Sequence, residues 1–418
     1  MLRKSLSLAL ALAAACGGVQ HTNVSKPTSQ EVNAEELAKL GRITSLRENG
    51  GTLFIGAEKG IAAIDGSGKV LWTLEQPAAM ARLLEADADG ITFTSFNGDG
   101  IAEGGAVAHF LIGDLGDEPH FKDQSVGAAT RDGKLLFTAP AMKGVTQMSP
   151  PAMTKDQIGV SRGRGLFVYS RADGHEIGRS PLLAELLVDK WVLNASFNRP
   201  AFLNGAWYGS HLTDFVKADG KGEYQDRTRI WRILPVLGLD NLTIGPVLFK
   251  NRLICGNAPY EGDKKAVVFA FDKEGGKDWK EYIDDKASGV GSITANSERL
   301  FVATNFHVKA IDEKGSEVWD QVNKKGGLYP SKYRGLKYAK GTNHAARRSQ
   351  GQLIVADEKN VYVATNLSKT SDALTVLNAK TGEYVGSLDL GTFVSDMALV
   401  GGKIALATDD GLKLVQAL

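Results

Sequence analysis

Short apolar runs broken by polar turns dominate the chain, and Gly51 to Trp72, GTLFIGAEKGIAAIDGSGKVLW, shows the pattern in its simplest form. Leu53, Phe54 and Ile55 lie between Gly51 and Gly56, Ile61 to Ile64 form a second run, and Val70 to Trp72 a third. Runs this short, bounded by turn residues, predict strands rather than helices. Between the last two lies Asp65-Gly66-Ser67-Gly68. An Asp accepts hydrogen bonds from the backbone ahead of it and a Gly takes positive φ, so the stretch predicts an antiparallel meander with a tight hairpin.

The same pattern returns along the chain. The second strand recurs at Ile91 to Phe96, Lys134 to Ala139, Ala206 to Ser210, Arg252 to Gly256, Arg299 to Thr304, Val361 to Thr365 and Lys403 to Thr408, eight copies with the first. The turn recurs at one spacing: Asp65, Gly68 and Trp72 are matched by Asp272, Gly275 and Trp279 and by Asp312, Gly315 and Trp319. Looser copies run from Asn378 to Gly382 and from Ser170 to Gly174, with Gly386 or Gly178 where Trp would stand. Short strands in fours at intervals of about 40 to 50 residues mark a β-propeller, whose blades pack face to face. The predicted fold is all-β: an eight-bladed β-propeller of four-stranded antiparallel blades over residues 42–418. The last blade supplies three strands only, Thr392 to Val400, Lys403 to Thr408 and Leu412 to Gln416. Closing the ring then calls for an outer strand from the N-terminal region, placed here within residues 19–28.

The N-terminal residues follow other rules. Arg3 and Lys4 precede an apolar run from Leu6 to Ala15, too short to span a bilayer, and Ala13-Ala14-Ala15-Cys16 follows. Residues 1–15 therefore read as an export signal. The small residues before the Cys resemble a bacterial lipoprotein signal, which implies lipidation of Cys16. Ala13 stands where Leu is commoner, so plain cleavage after Ala15 is the alternative. Residues 16–41 read as a tether with a short N-terminal helix, because Asn33-Ala34-Glu35-Glu36 forms a capping box, Leu37 and Leu40 an apolar stripe, and Gly41 a stop.

Composition adds little beyond solubility. At 418 residues the chain is long for one compact core, but each repeat brings its own piece of core. The formal charge is +1, so nucleic acid is not an expected partner and membrane contact is expected through the lipid anchor only. Cys255, inside the apolar strand Arg252 to Cys255, reads as a small buried side chain rather than a nucleophile. With Cys16 lipidated, no disulfide partner remains for it.

The Ala-Ile-Asp-x-x-Gly-x-x-x-Trp pattern, at Ala63 to Trp72, Ala310 to Trp319 and, with Phe second, Ala270 to Trp279, resembles the quinoprotein-type (PQQ-like) propeller repeat. The likeness is strong in blades 1, 5, 6 and 7 and weak in 2, 3 and 4. With the leader and the length, the chain is similar to the propeller lipoproteins of the machinery that inserts β-barrels into the bacterial outer membrane. The resemblance implies a non-catalytic, monomeric scaffold on the outer membrane, facing the periplasm, with an envelope protein partner and no cofactor. The contact residues of that family find no position-by-position match here.

Strand order sorts the connections. If each blade runs A to D from the axis outward, the A–B and C–D turns emerge on one face and the B–C and D–A connections on the other. The first set is tight: Asn49-Gly50, Asp89-Gly90, Asp132-Gly133, Lys250-Asn251, Gly401-Gly402 and the Asp-x-x-Gly turns. The second carries the insertions Ala139 to Arg162, His211 to Gln225, Asn257 to Lys265, Gln321 to Ser349 and Asn366 to Asp372. Long loops on a rigid scaffold usually hold function.

Gln321 to Ser349 is the most unusual of these. Lys324, Lys325, Lys332, Arg334, Lys337, Lys340, Arg347 and Arg348 stand there without an Asp or Glu, among Tyr329, Tyr333 and Tyr338. The candidate partner-binding residues are Lys324, Lys325, Tyr329, Lys332, Tyr333, Arg334, Lys337, Tyr338, Arg347 and Arg348, a set suited to an anionic or extended polar partner. The bland alternative is a solvated loop whose charges keep it soluble. Met142, Met148 and Met153 in the first insertion offer either an adaptable contact surface or a cap on the core.

No metal site is expected. Asp87-Ala88-Asp89-Gly90 and Asn97-Gly98-Asp99-Gly100 lack the oxygens of a calcium loop and read as hairpin turns. The seven histidines lack ligand spacing and read as surface or turn residues. Catalysis is not expected either: the adjacent cysteines that the resemblance would require of a quinone enzyme are missing, and no nucleophile elbow or nucleotide fingerprint occurs. A quinone-dependent oxidoreductase and an envelope carbohydrate- or ligand-binding propeller are the alternatives.

Overall fold

Burial separates the strands of each repeat by kind. Thr52–Ala57 and Gly60–Asp65 are buried on both faces apart from their ends, while Val70–Glu75 alternates between half-buried and exposed. A strand covered on both faces reads as a continuous apolar run and an outer one as an alternation. The computed structural model describes residues 29–32, 35–98, 121–140, 148–162, 165–181, 199–211, 214–229, 242–257, 266–284, 290–304, 307–322, 353–366 and 371–417. It shows an eight-bladed propeller: eight four-stranded antiparallel sheets, seven of them paired in sequence order from the innermost strand A to the outermost strand D. Blades 1 to 7 span 43–75, 81–140, 152–181, 201–229, 242–284, 290–322 and 353–389, and blade 8 begins at 394.

The outer strand of blade 8 is Ser29–Glu31, which pairs antiparallel with Gly411–Gln416, Gln30 opposite Leu414. Closure by an N-terminal strand is therefore as expected, but the strand lies beyond the 19–28 window. Val32 extends the pairing, its N–H donating to Leu412 O at 3.0 Å. The helix Glu35–Lys39 follows, and Leu37 and Leu40 join Leu46, Ile55, Ala398, Val400 and Leu414 in the core at the seam between blades 1 and 8.

The other cores also lie between blades. Ile254, Val268, Ile293, Val302 and Ile311 fill the space between blades 5 and 6, and Phe301, Val308, Trp319, Val363 and Leu377 that between 6 and 7. Fully burying one such side chain contributes about 1.5–3 kcal/mol, against about 1 kcal/mol net for a hydrogen bond, so these interfaces hold the ring.

One device repeats at these interfaces. Trp72, Trp279 and Trp319 lie over the C–D turn glycine of the next blade, where an added Cβ on Gly133, Gly315 or Gly382 would come 2.5, 2.7 or 2.6 Å from the indole. All three glycines have positive φ (88°, 85° and 74°), so the turn conformation and the close approach both exclude a side chain. Each indole N–H donates to a carbonyl of the same turn: Arg131 at 2.9 Å, Glu313 at 3.2 Å and Ala379 at 3.0 Å. In blades 1 to 7 the outer strand shifts register next to this position, a bulge that tips it toward the neighbour.

Two expectations change. Lys134 to Ala139 is not the second strand of a blade; Leu135–Pro140 is the outer strand of blade 2, and blade 3 takes Gln157–Arg162 as its second strand. The misplacement follows from blade 2 itself, whose second strand ends at Gly98 and whose third begins at Phe121, paired with each other across a long connection. The eight copies were thus counted correctly with one out of phase. The insertions Ala139 to Arg162 and His211 to Gln225 are likewise not single loops, since each overlaps three strands.

Candidate functional site

Connection length divides the two faces. Every A–B and C–D connection among blades 1 to 7 has two to five residues, whereas 99–120, 141–151, 182–200, 230–241, 258–265 and 323–352 all join strands on the opposite face. Asp132-Gly133, assigned to the wrong blade, still falls on the tight-turn face as the C–D turn of blade 2.

On the tight-turn face the polar side chains tie each blade to the next. Arg131, in the C–D turn of blade 2, donates to Asn49 O at 2.7 Å and Thr52 Oγ1 at 3.0 Å in blade 1. Arg171 holds Asp87 through two bonds, 2.5 and 2.7 Å. Gln157 donates to Gly220 O at 2.8 Å, Tyr208 OH to Lys273 O, Lys250 faces Glu313 at 3.7 Å, and Arg299 donates to Ala379 O at 2.8 Å. At the seam, Gly66 and Gly401 touch through their backbones. The direction is constant: the A–B end of one blade meets the C–D turn of the following one. Donors fixed in this way are not available to a partner.

Asp87 shows the electrostatics. Burial works against its charge, but Arg171 and the N–H groups of Asp89 and Gly90 prevail and hold the carboxyl below its ordinary range. Asp87 to Gly90 is thus a hairpin turn locked to blade 3.

The opposite face has buried anchors at the feet of its connections. Arg82, 2% exposed, donates to the carbonyls of Ala57, Glu58 (3.1 Å) and Pro77 (2.8 Å), and burial pushes its pKa down to about 10. Asp372 accepts the Val394 N–H at 2.7 Å. Met148 is fully buried with Phe96, Val126 and Ile158 and caps the core, whereas Met153 is half-buried against Thr92 beside the tight turn; Met142 lies outside the described residues.

The basic connection leaves the outer strand of blade 6, Glu317–Val322, and returns to the inner strand of blade 7, Leu353–Ala356. Its ten candidate residues, Lys324 to Arg348, lie outside the described residues, as does Cys16. Its foot is described. His307 Nδ1 lies 2.9 Å from Asp320, and Lys309 Nζ lies 2.9 Å from Glu317, 3.6 Å from Glu281 and 3.2 Å from Tyr282 O. His307 is 9% exposed, so it is a buried, paired residue and not the surface or turn histidine expected. Sequence reasoning missed this group because its members, spread over two blades, share no spacing. Cys255 is buried and burial raises its thiol pKa, which makes it inert. Among the described residues no three His, Cys, Asp or Glu side chains gather as a metal site, and no helix is long and apolar enough to cross a membrane.

Comparison with known proteins agrees with this architecture. Residues 304–418 match a family model described as outer membrane protein assembly factor BamB. BamB from Moraxella catarrhalis superposes with a TM-score of 0.60 at 11% identity, over 94% of this chain and 100% of that one. The computationally designed Ika8 protein (TM-score 0.59, 12% identity, 91% and 97% covered) and Sqt1 of Saccharomyces cerevisiae (0.57, 10%, 91% and 96%) share the fold. No curated protein matches the sequence. The chain is an eight-bladed propeller that resembles BamB in fold, and its residues 304–418 resemble the PQQ-like repeat of that family.

Proposed function

We propose that this propeller is a non-catalytic protein-binding scaffold of the bacterial envelope, held at the outer membrane by a lipid on Cys16 and assisting the assembly of outer-membrane proteins. The observation that carries the reading is the inequality of the two faces. One consists of short turns, several of whose polar groups tie neighbouring blades together, and the other bears every long connection, including the basic, tyrosine-containing one. A rigid ring presenting loops from one side suits protein contacts, in which Tyr and Arg supply much of the binding energy at low entropic cost. The partial family match, described as an outer membrane protein assembly factor, supports the choice of partner class.

The working mechanism is presentation. The interblade cores keep the feet of the connections fixed, and the eight Lys and Arg side chains between 321 and 349 attract an acidic or extended polar surface before the tyrosines seat against it. The test is purification of the full-length, lipidated chain from its native envelope. Co-purification of a barrel-assembly complex supports the scaffold, and its absence after cross-linking contradicts this partner class.

A further inference from the structure

Four charges meet inside the ring from blades that are not all neighbours. Arg47, Glu85 and Asp396 stand on the innermost strands of blades 1, 2 and 8, Ile43–Asn49, Ala81–Ala86 and Val394–Val400. Arg199 precedes the innermost strand of blade 4, Ala201–Leu203, by two residues. Across the seam between first and last blades, Arg47 Nη1 lies 3.4 Å from Asp396 Oδ2. The same oxygen accepts the Leu46 N–H at 2.9 Å, and Oδ1 accepts the Met397 N–H at 2.9 Å. Arg199 Nη2 forms an ion pair with Glu85 and lies 3.5 Å from Leu84 O. Blade 3 separates blades 2 and 4, so Arg199 reaches Glu85 along the inner side of the ring and not through a blade interface.

The two pairs also sense each other. Burial lowers the pKa of Arg199, Glu85 opposes that, and Arg47 and Asp396 act on it too. The innermost strand of blade 1, which bears Arg47, packs between those of blades 2 and 8, which bear Glu85 and Asp396, so the two pairs are neighbours along the inner wall of the ring. The side chains keep 19 to 30% of their surface, half-enclosed rather than solvated. Charges so placed are weakly screened, and removing one leaves its partner uncompensated.

We propose that Arg47, Glu85, Arg199 and Asp396 form one axial clasp, two neighbouring ion pairs coupled along the innermost strands, through which blade 4 helps to hold the noncovalent seam between blades 1 and 8. Each single loss then loosens the seam, wherever in the ring the lost residue stands. The clasp also fills part of the axis with the chain's own charges, and a ligand entering there must displace ion pairs, which directs binding to the loop face.

Amide hydrogen exchange on the full chain tests this. Arg199→Met should speed exchange at Leu46 and Met397, at the seam and away from blade 4, by about tenfold, while Arg199→Lys, which keeps the charge, leaves both near wild type. Exchange raised only in blades 2 and 4, or raised equally by Lys and Met, would overturn the proposal. Equilibrium unfolding gives a second readout that the conservative variants E85Q and D396N allow even where Arg199→Met does not fold. The midpoint of the double variant should fall by clearly less than the sum of the two single shifts; additive shifts mean two separate local pairs and contradict the clasp.

Discussion

Trp319 and Gly382 show how a single contact serves the ring. The indole is 8% exposed, donates its N–H at 3.0 Å, and covers a glycine whose φ of 74° a side chain would strain. Gly382→Ala meets both obstacles and should cost about 1–3 kcal/mol. Trp319→Ala should cost about 3 kcal/mol, and more than Trp72→Ala or Trp279→Ala, whose rings are less buried. Denaturant midpoints measure this order, and equal losses at the three positions would contradict the lock. Asp87 carries a pH dependence at the same scale. Its folded pKa is depressed, so its pairing with Arg171 stabilises fully above its unfolded pKa of roughly 4 and is lost as pH falls below that. Asp87→Asn should therefore narrow the stability gap with wild type as pH is lowered from 6 to 3, a comparison that thermal melts make directly.

At the scale of elements, the outer strands are where sequence and structure part. The Asp-x-x-Gly turns were legible because their chemistry is local: Asp65 Oδ1 accepts from the N–H groups of Ser67 and Lys69, as the residue types demand. Leu135 to Ala139 was misread because an apolar outer strand looks like a central one until its alternation is seen; Leu136 is 46% exposed. The connection after Gly98 then moved the phase of the count by half a blade. Closure by an N-terminal strand was legible from the missing fourth strand of blade 8, whereas its register depends on packing of Val32 near Gly68 and Leu414, which no local signal encodes. Deleting residues 17–32 removes that strand and should lower the melting temperature by about 5 °C or more. An unchanged melting temperature would mean that the ring closes without it.

For the molecule as a whole, the division of faces links fold to function. Which face carries the insertions followed from strand order alone, and survived the misassigned blade because a shift of two strands exchanges A–B with C–D turns and leaves the face unchanged. The axial charges were not legible, since 47, 85, 199 and 396 have no periodic relation and meet only when the ring closes. The central claim is that partner capture belongs to the loop face. The direct measurement is partner recovery in a pull-down with two variants of equal charge change. One reverses Lys332, Arg334 and Lys337 to Glu on the loop face; the other reverses Lys273, Lys314 and Lys380, exposed on the tight-turn face. The account predicts that the first loses about tenfold or more of the recovered partner while the second retains it with the same melting temperature; equal recovery from both, or loss from the second alone, would contradict it.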